Sequence, residues 1–206
     1  MLADKPLRDV LSAFAASRPT PGGGSASALA SALGASVLMM VARVPKTRSD
    51  AEADRVALAG AAAALSDHQQ RLIEAIDADS DAYDAVVAAY KLPHTNDTER
   101  SARRAAIDRA LRAATEVPLD VMRLSVLATE QAQVVARHGY DQAASDVGVA
   151  IGLLRAGLTG ARLNVDANLH SLSDASYAMA VGTIVKDLNV EGTKSADAAD
   201  VMLGNQ

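Results

Sequence analysis

Between its proline and glycine breaks, the apolar residues of this chain recur at helical spacing, and no alternating stretch reads as a strand. The breaks fall at Arg18-Pro19-Thr20-Pro21-Gly22-Gly23-Gly24, Pro45, Pro93, Pro118, His138-Gly139 and the glycine-containing tail. A first helix is expected from about Asp4 to Ala16, with Leu7, Val10, Leu11 and Phe14 on one face. A second follows the glycines, with Ser25 as its N-cap, and ends before Pro45. The third runs from Ser49 or Asp50 to about Lys91, roughly 60 Å if unbroken, on a stripe of Leu65, Leu72, Ile76, Tyr83, Val86 and Tyr90. A fourth covers Asp97 or Thr98 to Thr115, and a fifth starts with Pro118 in its first turn and ends at His138-Gly139. The sixth spans about Tyr140 to Leu169, and the last about Ser173 to Leu188.

Composition says how such helices pack. Alanine supplies 45 of 206 residues, against one Phe, four Tyr and no Trp, so the helices must meet closely on small side chains. The expectation is an all-α bundle of long antiparallel helices. It forms one helical domain over residues 1–206, with about the last 15 residues frayed. There is no cysteine, which removes disulfide scaffolds, thiol catalysis and iron–sulfur clusters together. A net charge of −5 argues against a nucleic-acid partner. The segment Gly22 to Val41 comes closest to a membrane span, but it is mostly Ala, Ser and Gly. No signal peptide is visible at the N-terminus, so a cytoplasmic chain with no membrane partner is expected.

Several residues exceed what a bundle needs. Asp77, Asp81 and Asp84 fall on one side of the third helix as a solvated face. Asp79 does not: it lies three after Ile76 and four before Tyr83, on the apolar stripe. A carboxylate so placed must be paired, hydrogen-bonded or functional. On the sixth helix, Asp146, Ala150, Leu153, Gly157, Gly160, Asn164 and Asn168 share a face whose small residues point to a close helix or subunit contact. Asp146 and Asn164 stand about 27 Å apart on that helix and cannot touch one reacting atom within one chain. The turn Pro21-Gly22-Gly23-Gly24-Ser25 opens onto a helix N-terminus, where free N–H groups favour an anion. It is neither a Walker loop nor a Rossmann turn. The four histidines, His68, His94, His138 and His170, have no metal-ligand spacing, so no metal is expected. His94 sits in a charged loop, where a solvated surface is the ordinary reading.

These stretches together resemble one family, the cyclodeaminase/cyclohydrolase family of folate one-carbon enzymes. They are Pro19 to Ser25, Asp77-Ala78-Asp79-Ser80-Asp81-Ala82-Tyr83, Tyr90-Lys91-Leu92-Pro93, Val117-Pro118-Leu119, Ser145 to Ala150, Gly160 to Val165 and Asn168-Leu169. The resemblance covers about residues 5 to 180 and implies a homodimer and a reduced folate substrate. The implied reactions are closure of 5-formiminotetrahydrofolate to 5,10-methenyltetrahydrofolate with loss of ammonia, or hydrolysis of the methenyl form to 10-formyltetrahydrofolate. Neither needs a metal or redox cofactor. The segment Arg43 to Ala51 departs from the family pattern: Lys46 and Arg48 keep positive charge, but a glycine and an aromatic are absent.

The methenyl bridge is a delocalised cation, and the substrate ends in an anionic glutamate. Asp79 first, and Asp146 second, are the carboxylates expected to stabilise the cation or activate water. Gly22, Gly23, Gly24 and Ser25 are expected to supply donors. Lys46, Arg48 and Lys91 are expected to meet the glutamate carboxylates, with Tyr83 and Asn164 as further substrate contacts. The departure at Pro45 to Ala51 motivates an alternative from another class, a non-catalytic folate- or partner-binding helical dimer. A plain structural bundle is the third reading.

Overall fold

Alanine-rich stretches without internal breakers favour helix, and the turn residues set where each helix ends. A computed structural model describes residues 1–204 as six α-helices and one short 3₁₀ turn, Asp141–Ala143, with no strand among the described residues. The helices are α1 Leu7–Phe14, α2 Gly23–Ala42, α3 Glu52–Tyr90, α4 Asp97–His138, α5 Ala144–His170 and α6 Ala175–Gly204. Short connections make successive long helices antiparallel neighbours. Helices α2, α3, α4 and α5 close a ring in which each packs on the next, and α6 lies against α4 and α5. The core combines Leu38, Leu58, Leu65, Leu72, Met122, Leu124, Ile151 and Leu154 with many buried alanines.

Three boundaries differ from expectation. The fourth and fifth predicted helices are one, with Pro118 inside α4. Proline has no N–H for the carbonyl four residues back and would normally break or kink the helix. Here the freed Ala114 carbonyl accepts a hydrogen bond from Asn168 Nδ2 of α5 at 2.9 Å. A side chain from a neighbouring helix takes the place of the missing backbone donor. The C-terminal stretch expected to fray is helical to Gly204, because Gly192, Ser195, Ala196 and Ala199 are buried. Ser25 is not the N-cap of α2: Gly22 holds that position, and Ser25 lies inside the first turn.

The apolar stripe of α3 changes role along its length. Leu65, Leu72 and Ile76 are buried, but Tyr83 and Tyr90 are 41 % and 47 % exposed. The outer end of α3 and the start of α4 extend past the core as a hairpin, whose inner side walls a cavity. Asp77, expected to be solvated, accepts hydrogen bonds from the Leu2 and Ala3 amides and ties down the N-terminal arm.

Replacing Asn168 by Leu should lower the unfolding free energy by about 1–3 kcal/mol, the cost of a buried carbonyl left without a donor. In a Pro118→Ala background the backbone N–H returns, and the same replacement should cost much less. Urea unfolding of the four proteins measures this, and an equal cost in both backgrounds would disprove the substitution of donor for donor.

Candidate active site

Helix α2 starts with glycines and has no acidic residue in its first turn, so its N-terminal N–H groups lack a local partner. Asp79 of α3 supplies one. Its Oδ2 accepts from the Ser25 amide at 2.8 Å and from the Ser25 hydroxyl at 2.9 Å. A carboxylate is stabilised there by the helix dipole as well as by the two bonds. The other oxygen, Oδ1, receives no hydrogen bond from the described residues. It stands so close to Gly24 that a Cβ on that residue would lie 2.0 Å from it. Gly24 is thus required by the approach of α3. Asp79 is hydrogen-bonded, as a carboxylate on an apolar stripe must be unless it is otherwise paired, and it also lines a cavity.

That cavity has a volume of about 370 Å³. Pro19, Thr20 and the three glycines form one side; Asp79, Tyr83, Val86 and Tyr90 of α3 form another. Leu111 and Ala114 of α4 and Asn164, Asn168 and Ser171 around the end of α5 complete it. Asn164 donates to the Gly160 carbonyl at 2.8 Å, and its amide lies 3.4 Å from where a Cβ on Gly23 would be. Gly22, Gly23, Gly24, Asp79, Tyr83 and Asn164 are therefore brought together around one cavity, with Ser25 bonded to Asp79. Lys91 is exposed and directly follows Tyr90 at the end of α3.

Lys46, Arg48 and Asp146 are not part of this cavity in one chain. The 20 residues of α2, about 30 Å, separate Lys46 and Arg48 from it. Asp146, at the start of α5, is 18 residues from Asn164, about 27 Å. At that far end Lys46 lies over the Tyr140 ring, 4.8 Å from its centroid. Arg48 pairs with Asp141 at 2.9 Å and donates to the Ala136 carbonyl at 3.0 Å. Nearby, Asp54 of α3 is buried and meets His138 Nδ1 at 2.7 Å. Its other oxygen accepts from the Ser49 hydroxyl at 2.6 Å and the Ser49 amide at 3.1 Å. The Ser49 hydroxyl first, and His138 next, hold the Asp54 carboxyl down at about 2.

The sequence reading missed a basic cleft beside the cavity. Arg103 donates to the Tyr90 carbonyl at 3.2 and 3.0 Å, and its guanidinium lies 5.6 Å from the Tyr90 ring centroid. With His94, Arg100 and Arg104 it lines a cleft of about 300 Å³ that shares Ser171 with the cavity. The run Arg100, Arg103 and Arg104 after the Pro93-His94 loop was the available signal. Among the described residues, no group of three or more His, Asp or Glu side chains could hold a metal ion.

The fold and the cavity define a class: an all-helical bundle with a glycine turn and an anchored carboxylate facing a cleft. The family described as formiminotransferase-cyclodeaminase matches residues 6–187. A methenyltetrahydrofolate cyclohydrolase of Methylorubrum extorquens is 37 % identical over 181 residues, covering 86 % of each chain. A formimidoyltransferase-cyclodeaminase of Gallus gallus is 29 % identical over 195 residues, 95 % of this chain but 36 % of that protein. The crystal structure of a formiminotetrahydrofolate cyclodeaminase from Thermotoga maritima superimposes with a TM-score of 0.89 at 22 % identity, covering 100 % of this chain and 98 % of that one. The chain belongs to the formiminotransferase-cyclodeaminase family.

The lowered pKa of Asp54 carries a sign. Its folded value, about 2, lies below the ordinary 3.8, so its contribution is complete above the ordinary value and is lost as pH falls toward 2. Asp54→Asn should therefore flatten the stability profile between about pH 5 and pH 2. Urea midpoints across that range test it; parallel profiles for the two proteins would contradict it.

Proposed function

We propose that the cavity binds a reduced folate and that the chain is a folate one-carbon enzyme acting at the methenyl bridge. The observation that carries this is Asp79, with one oxygen fixed by Ser25 and the other turned to a cavity of planar and amide-bearing walls. A cationic bridge beside that free oxygen gains electrostatic stabilisation, and water held between them has a base within reach. In hydrolysis, water adds to the methenyl carbon and gives up a proton to Asp79. The bond from that carbon to N5 then breaks as the new hydroxyl gives up its proton and becomes the formyl oxygen; N5 takes the proton held by Asp79, one proton is released overall, and the 10-formyl product is left. Tyr83 and Tyr90 offer ring faces to the planar pterin or benzoyl group.

A relative 37 % identical over 86 % of both chains is named a methenyltetrahydrofolate cyclohydrolase, so hydrolysis is the first reading. Cyclodeamination is the second, since the rat formimidoyltransferase-cyclodeaminase is 31 % identical over 173 residues. This chain spans 32 % of that protein. Both reactions meet at the methenyl species, and the same carboxylate serves each. The proposal includes no resident metal or redox cofactor, a cytoplasmic setting and a homodimer. The basic cleft around Arg103, which adjoins the cavity at Ser171, suits an anionic glutamate tail.

Purified protein should accelerate loss of the 5,10-methenyltetrahydrofolate absorbance band above the spontaneous rate. Asp79→Asn should lower that rate by roughly 10²- to 10⁴-fold with far-UV circular dichroism unchanged, because asparagine still accepts from Ser25. Gly24→Ala should also lower it, by pushing Asp79 out of place. An Asp79→Asn protein of wild-type rate would remove Asp79 from the mechanism. No acceleration by the wild type would exclude hydrolysis, and growth of the same band from 5-formiminotetrahydrofolate would then identify the deaminase.

A further inference from the structure

Two asparagines one turn apart on α5, Asn164 and Asn168, stand in the cavity wall. An amide side chain has donors on its nitrogen and an acceptor on its oxygen, and a ligand meets whichever end the fold has left free. Here the nitrogens are taken. Asn164 Nδ2 donates to the Gly160 carbonyl at 2.8 Å, and Asn168 Nδ2 donates to the Ala114 carbonyl at 2.9 Å. A backbone carbonyl only accepts, so the atom facing it is the nitrogen and the oxygen points elsewhere. Neither Oδ1 takes a hydrogen bond among the described residues. Neither is shut in, because the one side-chain nitrogen or oxygen buried without a partner among those residues is His68 Nδ1. Both oxygens are therefore open, on residues that line the cavity.

The two amides are turned by different means. Gly160 lies one turn back on the same helix, so Asn164 is oriented locally. Asn168 is oriented from another helix, by the carbonyl that Pro118 leaves without a helical donor. Pro118 does not line the cavity, so it acts there only through Asn168. The wall has an order. Asp79 Oδ1 lies against Gly24, and Asn164 lies against Gly23. Asn168 comes one turn, about 5.4 Å, further along α5. Ser171 follows, where the basic cleft joins. A folate with its one-carbon bridge at Asp79 and its glutamate in that cleft spans this wall with its p-aminobenzoyl group. The group ends in an amide with a single N–H. The pterin also carries N–H groups, but it lies on the other side of the bridge.

We propose that Asn168 Oδ1 accepts the N–H of the amide that joins p-aminobenzoate to glutamate, and that Pro118 sets Asn168 in that orientation. Asn168 is then a specificity residue for the tail half of the substrate as well as a brace for α4. The contact rests on the folate reading; the orientation of the amide does not.

Two fragments separate the halves of the ligand, p-aminobenzoylglutamate and 6-methyltetrahydropterin, with 5-formyltetrahydrofolate as the whole. Ligand-observed NMR gives the affinity of each. Asn168→Leu should weaken p-aminobenzoylglutamate and 5-formyltetrahydrofolate roughly 3- to 10-fold, the loss of one hydrogen bond, and leave the pterin fragment within about twofold. Because Asn168→Leu also strips α4 of a donor, the comparison is repeated in a Pro118→Ala background, where the backbone N–H returns. Urea unfolding should then show the stability cost largely gone, while the weakening of p-aminobenzoylglutamate persists. Weakening that vanishes together with the stability cost would make Asn168 a brace only and overturn the proposal. So would wild-type affinities in Asn168→Leu, or weakening of the pterin fragment in place of the other, which would reverse the ligand in the cavity. A wild type that binds neither the fragments nor 5-formyltetrahydrofolate would refute the folate reading and this contact with it, and the urea data would still decide how the amide is turned.

Discussion

The close approach of α2 to α5 is the contact on which the site depends. A Cβ on Gly157 would lie 1.9 Å from Ser31 Oγ, and one on Gly160 would lie 2.3 Å from Ser27 Oγ. No larger side chain fits at either position without moving a helix. The serines that fill this seam are satisfied within it. Ser27 donates to the Gly23 carbonyl at 2.6 Å, and Ser31 meets Ser125 of α4 at 2.7 Å. Because the helices are this close, Asn164 of α5 reaches the first turn of α2, and the glycine turn becomes a wall of the cavity. Wider spacing, as large aromatic side chains would impose, would separate Asn164 from Gly23.

The same economy appears in polar groups that serve two ends. Asp79 answers the unpaired N-terminus of α2 with one oxygen and leaves the other for the cavity. Asn168 repairs the carbonyl that Pro118 leaves open and stands in the cavity wall. Arg103 binds the Tyr90 carbonyl and lines the adjoining cleft. In each case the bond that holds a helix also fixes a side chain at the site, so the site's geometry is stiffened by the fold around it.

Much of this was legible in the sequence, and the failures have definite causes. Helical spacing and alanine content give the all-α class directly. Asp79 stands out because a carboxylate interrupts an apolar stripe, and Gly157 and Gly160 because small residues repeat on one face. Pro118 misled because its repair comes from Asn168, a residue 50 positions later that no local pattern connects to it. Tyr83 and Tyr90 continue the core period of α3 but pass beyond the core, and periodicity does not say where a core ends. Lys46 and Arg48 carry suitable charge, but their place at the far end of α2 follows only from the helix length. The basic cleft was overlooked because arginines early in a helix usually face solvent.

Helix α2 also shows why apolar length alone is a poor guide. By composition it is long enough to cross a membrane, but 61 % of that window is buried inside the bundle. Packing on three neighbours explains its inner faces and leaves only the narrow outer stripe to account for. A bilayer would ask for apolar side chains around the whole helix, whereas a bundle partner asks for one seam. The composition of α2 therefore fits a helix packed on three neighbours in a bundle, where small residues set the spacing, and its hydropathy follows from that burial.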